Sequence, residues 1–130
     1  MDWRLWVYEK VRQTQSIENL VEDRIYGSGS LEGAPDVKPF LMLRLEADSP
    51  ELNDGDAPLI TSRTLTVFVH DEPGSYVRIE QMLAMLRTAL VGQVPSAVAC
   101  TWLGDTGDLA DDTFKTITRA GTFRLVGGVS

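Results

Sequence analysis

The chain has 130 residues, 12 basic against 19 acidic, and a formal net charge of −7. That length suits one domain with a core large enough to need no staples, and the charge argues against tight wrapping of nucleic acid, because it repels phosphate. Cys100 is the only cysteine, which excludes an intrachain disulfide and a thiolate zinc site.

Asp2 stands where it can cap a first helix from Trp3 to about Gln13. Trp3, Val7 and Val11 form one apolar seam, widened by Trp6 and Tyr8. The segment also carries Arg4, Glu9 and Lys10, so it reads as neither a signal peptide nor a membrane span. The expectation is a protein made and kept, or assembled, in a cytoplasm. Thr14-Gln15-Ser16 reads as a break, with Ser16 capping a short second helix whose apolar residues are Ile17, Leu20 and Val21. Arg24-Ile25-Tyr26 looks extended, and Gly27 to Lys38 reads as loop.

Phe40 to Glu46 is a strand, with Leu41, Leu43 and Leu45 alternating with Met42, Arg44 and Glu46. Ala47 to Ser62 is the longest irregular stretch, and an extended hairpin between two strands is the other reading. Glu46, Asp48, Glu51, Asp54 and Asp56 make this region acidic, with no base among them. A loop that long inside a compact domain is usually functional or mobile, although a merely solvated loop is equally compatible with the composition.

The organising stretch is Arg63 to Gly92. Thr64 to His70 has the branched and aromatic content of a strand, with Leu65, Val67 and Val69 on one face. Asp71-Glu72-Pro73-Gly74 stops it, and Ser75 is placed to cap a helix. In Tyr76 to Val91 the residues Ile79, Met82, Leu83, Leu86 and Leu90 make one stripe at helical period, with Arg78, Gln81 and Arg87 largely outside it. Gly92 fits the position after the helix end, and Pro95 prevents resumption. Val98 to Leu103 reads as a third strand. Gly104 to Asp112 reads as a second acidic loop, with Asp105, Asp108, Asp111 and Asp112. Thr113 to Val126 reads as strand again, bent at Ala120-Gly121, and as a candidate sheet edge. The fold class is α+β: an antiparallel or mixed sheet flanked by helices, with one main helix packed on it.

Motifs for chemistry are sparse. His70, the only histidine, sits beside Asp71 and Glu72, but no motif places a nucleophile near it, so it reads as a polar strand end. Cys100 in Val98-Ala99-Cys100-Thr101-Trp102 reads as a small, buried strand residue rather than a nucleophile. Gly27-Ser28-Gly29 lacks both the third glycine at dinucleotide spacing and a following helix. The calcium-loop pattern fails at Gly55 and at Gly107, where Pro50, Leu52, Gly104 and Thr106 fall on ligand positions. The residues point to no enzyme and no cofactor.

The order of elements resembles the tail terminator, or tail completion, proteins of long-tailed bacteriophages. Arg24-Ile25-Tyr26, Lys38-Pro39-Phe40, Thr66-Val67-Phe68-Val69-His70, the helix Tyr76 to Leu90 and the segment Ala120 to Leu125 carry the resemblance. It spans nearly the whole chain, and the tryptophan-rich N-terminal segment departs from the family's shorter leader. The resemblance implies a virion structural protein rather than an enzyme: a ring, usually hexameric, at the head-proximal end of the tail. Such a ring stops tube growth and joins the head connector. The partners implied are other copies of the chain, the tail tube protein and a connector or stopper protein. DNA would pass through the lumen without specific binding, and no membrane is involved. Asp48, Glu51, Asp54, Asp56, Asp105 and Asp108 are the candidate inter-ring or lumen contacts. Acids lining a lumen repel DNA within about 8–10 Å at physiological salt. Another head–tail junction protein is the near alternative, and a small-molecule-binding α+β domain the distant one.

Overall fold

A computed structural model describes residues 3–27, 37–46, 49–54, 57–74, 76–92 and 99–128. The chain runs α1 (Trp3–Gln13), α2 (Gln15–Val21), β1 (Ile25–Gly27), β2 (Phe40–Leu45), β3 (Ser49–Asp54), β4 (Ala57–Asp71), α3 (Val77–Leu90), β5 (Ala99–Asp105), β6 (Leu109–Asp111) and β7 (Thr116–Gly128). The protein is α+β, with all the strands in one mixed sheet. The strand order is β1-β2-β4-β7-β5, with β3 added to β4 and β6 added to β7. Among the described residues only β1 and β2 pair in parallel; the other pairs are antiparallel.

The α3 stripe is the centre of the core. Ile79, Met82, Leu83, Leu86 and Leu90 are all buried, as the period of the sequence predicts. They pack with Leu65, Val67 and Val69 of β4 and Phe123 and Leu125 of β7. Val7, Val11, Ile17 and Val21 extend the same cluster, so the three helices cover one face of the sheet. Each fully buried side chain of this kind contributes about 1.5–3 kcal/mol. The strands β4 and β5 run the same way with β7 between them, and parallel strands need a long crossover. α3 supplies it, which is why the helix lies across β7.

Several boundaries differ from the sequence expectation for local reasons. Ser16 lies inside α2: Thr14 is its N-cap, and the Thr14 hydroxyl donates back to the Lys10 carbonyl at 2.9 Å instead of capping α2. α3 starts after Tyr76, which makes no side-chain cap but donates its phenol to the Leu109 carbonyl at 2.8 Å. Asp2 and Ser75, the expected caps, lie outside the described residues. Gly92 follows the helix end at φ +136°, where a side chain is strained, and pairs with Cys100 to launch β5.

The C-terminal strand is not an edge. β7 pairs with β4 along one side and with β5 and β6 along the other. Being last in the chain does not place a strand last in the sheet; the crossover between β4 and β5 leaves a slot that β7 fills. β7 is one long strand, as expected, and its register with β4 runs unbroken through Ala120 and Gly121, which pair with Phe68 and Val67. Gly121 is there for space: a Cβ would meet Asp105 Oδ1 and Phe123 at 3.3 Å and Leu83 at 3.4 Å. The irregularity lies opposite, where Leu103 is the extra residue between Trp102 and Gly104. Thr113 to Lys115, expected as strand, form the turn before β7.

The segment 47–62 takes the hairpin form rather than the loop form. β3 pairs antiparallel with the first part of β4, from Ser49 opposite Ser62 to Asp54 opposite Ala57. The second acidic loop is likewise shorter than expected, because Leu109–Asp111 pair with Thr116–Thr118.

Candidate interface: sheet edges and acidic residues

Of the candidate acids, Asp105 and Asp108 have described side chains, and they are held differently. Asp105 is held within. One of its oxygens accepts from Arg87 Nη2 at 3.0 Å and the other from the Trp102 indole at 3.0 Å. The Arg87 guanidinium also lies over the Trp102 ring, 3.7 Å from its centroid, so cation, ring and carboxylate form one brace between α3 and β5. Asp108 is exposed and stands 3.7 Å from Arg119 Nε. Arg119 is chiefly engaged elsewhere, donating to the Thr106 carbonyl at 2.9 Å and to Glu80 at 3.0 Å. Glu51 and Asp54 are in β3, and Glu51 falls where the pairing with β4 slips between Pro50 and Leu52. Asp48 and Asp56 lie outside the described residues.

The sheet has two ends. One is β5, whose bulge exposes Leu103, with Trp102 beside it about two-fifths exposed. A bulge twists an edge out of line for simple strand addition. The other end is β1, three residues long, paired to Leu41–Leu43 of β2. Past Gly27, Arg44 and Leu45 have a strand partner only on the β4 side among the described residues. Between this end and α1 lies a groove of about 430 Å³, lined by Leu5, Tyr8, Tyr26, Leu43 and Leu45 with Arg4 and Arg44. Leu43 and Leu45 are only half-buried because this groove, rather than a helix, covers them.

His70 departs most from its expectation. It is buried, on the helix-free face of the sheet, in an aromatic group. Its ring stacks on Phe40 with centroids 4.8 Å apart and meets the edge of Phe114 at 5.3 Å. Its Nδ1 and the Thr116 hydroxyl are 2.8 Å apart. Burial pushes the His70 pKa below its ordinary value, while the charge of Asp111 pulls it back up. Successive strand residues point to opposite faces, so Asp71 cannot hold this imidazole. Asp71 instead takes both hydrogen bonds of the Arg78 guanidinium, one of them at 2.6 Å, and accepts the Glu72 amide at 2.8 Å. That pair ties the end of β4 to the first turn of α3. It went unread in the sequence because Arg78 falls outside the apolar stripe, although a buried strand-end acid seven residues before a helical arginine is a signal for it. A second pocket of about 310 Å³ opens beside His70, with Met42, Phe68, Asp111 and Phe114 in its walls.

Cys100 is buried, and burial raises its thiol to about 11, which leaves it inert at neutral pH. Among the described residues no group of three His, Cys, Asp or Glu is gathered as metal ligands would be. Among those residues, too, no helix is long and apolar enough to cross a membrane. Compared with known proteins, the chain matches no family model and no curated sequence.

Proposed function

We propose that the chain is a tail terminator of a long-tailed bacteriophage, a virion structural protein that forms a ring on the head-proximal end of the tail tube. The reading rests on the order of elements and on one structural observation above the rest. The helices sit on one face of the sheet, and a two-stranded acidic hairpin runs on past the point where β2 ends. That arrangement supports the reading, because a ring needs two different surfaces per subunit that meet head to tail, with the core left intact. The ring, a hexamer by the resemblance, stops tube polymerisation and offers its other face to the head connector or stopper. Acids that face the lumen keep DNA from adhering, and the exposed Asp108, with Glu51 and Asp54 in β3, are the candidates for this or for contact with a neighbouring ring. Asp105, engaged with Arg87 and Trp102, serves the subunit itself. Another component of the head–tail junction shares the same needs.

The test is tail assembly. With the protein, tails examined by electron microscopy carry a ring at one end and have a single length; without it, tubes overgrow. Tubes of normal length in its absence overturn the reading. The pocket beside His70 favours the second reading, a small-molecule-binding domain, and a stable monomer with a metabolite clasped there is the result that would select it.

A further inference from the structure

We propose that the pocket beside His70, on the helix-free face of the sheet, binds a small uncharged aromatic alcohol, a phenol or naphthol, whose hydroxyl pairs with His70 Nε2 and the Thr118 hydroxyl. This ligand rests on the small-molecule reading of the pocket, not on ring formation. Strand register sets the floor of the site. His70 of β4 and Thr118 of β7 are directly paired, so their side chains stand next to one another on one face. Met42 and Phe68 lie on the same face, and Leu109 and Phe114 wall the site from β6 and from the turn before β7. The cavity of about 310 Å³ has the usual make-up of a site for an organic molecule, with apolar and aromatic walls around a few polar groups. Phe68, Phe114 and the Met42 thioether favour an aromatic occupant over an aliphatic one.

The two polar groups of the floor are incompletely satisfied. His70 is 3 % exposed; its Nδ1 is engaged with the Thr116 hydroxyl at 2.8 Å, and its Nε2 has no partner among the described residues. Thr118 is 5 % exposed, and its buried hydroxyl oxygen has no hydrogen-bond partner either. Leaving such groups unpaired is costly, and an apolar side chain of the same shape would avoid the cost. Burial lowers the His70 pKa, so at neutral pH the ring is neutral, with one nitrogen donating and the other accepting. A hydroxyl can do both, so it suits Nε2 in either tautomer. Thr118 Oγ1 is closed to solvent, and it reaches the ligand by a turn about χ1 from one staggered position to another. Charge selects as well. Among the described residues no lysine or arginine lines the pocket, and Asp111 stands in its wall, accepting the Phe114 amide at 2.8 Å. In a chain of net charge −7 that carboxylate repels an anion.

The experiment titrates the full chain at neutral pH with β-naphthol, naphthalene and β-naphthoate, following backbone amide and imidazole resonances by NMR. Saturable shifts are expected at His70, Leu109, Phe114 and Thr118. The expected affinity for β-naphthol is about tenfold above that for naphthalene, with β-naphthoate unbound. Thr118→Val keeps the shape and removes the hydroxyl; it should weaken β-naphthol severalfold and leave naphthalene unchanged. His70→Phe should do the same by removing Nε2. Circular dichroism and melting check that each variant folds. The proposal is overturned if the folded native chain shows no saturable shift up to the solubility limit of β-naphthol, or if the shifts lie on other surfaces. Naphthalene bound as tightly as β-naphthol, or β-naphthol affinity unchanged in both folded variants, overturns it too. Failure of the small-molecule reading looks different: there the chain binds β-naphthol in this pocket and also forms rings that terminate tails, which supports the site and rejects ligand binding as the chain's main role.

Discussion

The two halves of β4 have the same backbone and opposite surroundings. From Leu65 to Asp71 the strand has β2 on one side, β7 on the other and α3 across one face. From Ala57 to Leu59 it has β3 on one side, and β7 has already ended at Gly128 opposite Ile60. The first half alternates from Leu65 to Val69, with Leu65, Val67 and Val69 buried and Thr66 and Phe68 half-buried between them. The second half has no such alternation, and its partner strand carries Pro50, Glu51 and Asp54. A sheet held by a helix needs apolar periodicity; a stretch held by strand pairing alone does not.

The sharpest way to break this comparison is a cavity in the first half's packing. Leu83 is 3 % exposed and lies against the space kept open by Gly121. Leu83→Ala is expected to cost about 2–5 kcal/mol in chemical denaturation. A cost below about half a kcal/mol would mean that α3 is not what holds the sheet. Next is Asp71→Ala, which strips the strand end of its tie to α3. Hydrogen bonds to charged groups lose about 1.5–3 kcal/mol when broken. Arg78 is 45 % exposed and can return to water, so the lower part of that range is expected. Unchanged stability would mean that the pair adds nothing although its carboxylate is buried.

A smaller effect is a pH dependence at His70. Its folded pKa lies below that of the unfolded chain, so the unfolded chain takes up the proton first as pH falls. Stability is therefore lost as pH drops below about 6.5, toward the lower folded value. Melting temperatures between pH 8 and pH 5 should fall further for the native chain than for His70→Phe. Equal slopes would show that the imidazole does not resist protonation in its aromatic site. The smallest effect on stability is expected in the hairpin. Deleting Leu52 to Pro58 should change the folding free energy by no more than about 0.5 kcal/mol, yet spoil control of tail length. A shortened protein that folds and still terminates tails normally would remove the hairpin from function; one that fails to fold would erase the contrast between the two halves.

The core was legible because α3 and β4 carry clean periods. The five stripe residues and the three alternating β4 residues could be read without knowing any partner. The site was legible in part. One-sided charge marked the hairpin, yet Asp105 has the same local look as Asp108 and differs only because Arg87 and Trp102 reach it from other elements. Nothing near Leu43 or Leu45 in the chain announces that α1 stops short of covering them. His70 looked like a polar terminus because Phe40 and Phe114, which enclose it, are far away in sequence.

By itself the sequence determined which segments become helix or strand and which of their faces turn inward, since those depend on neighbours a few residues apart and on burial of apolar surface. Only the tertiary structure decided that β7 lies inside the sheet, that among the described residues the end strands are β1 and β5, and that a groove opens between α1 and the β1–β2 end. Those facts follow from where the α3 crossover sets β5 down, leaving a slot for the last strand, and no local period encodes the landing place of a crossover.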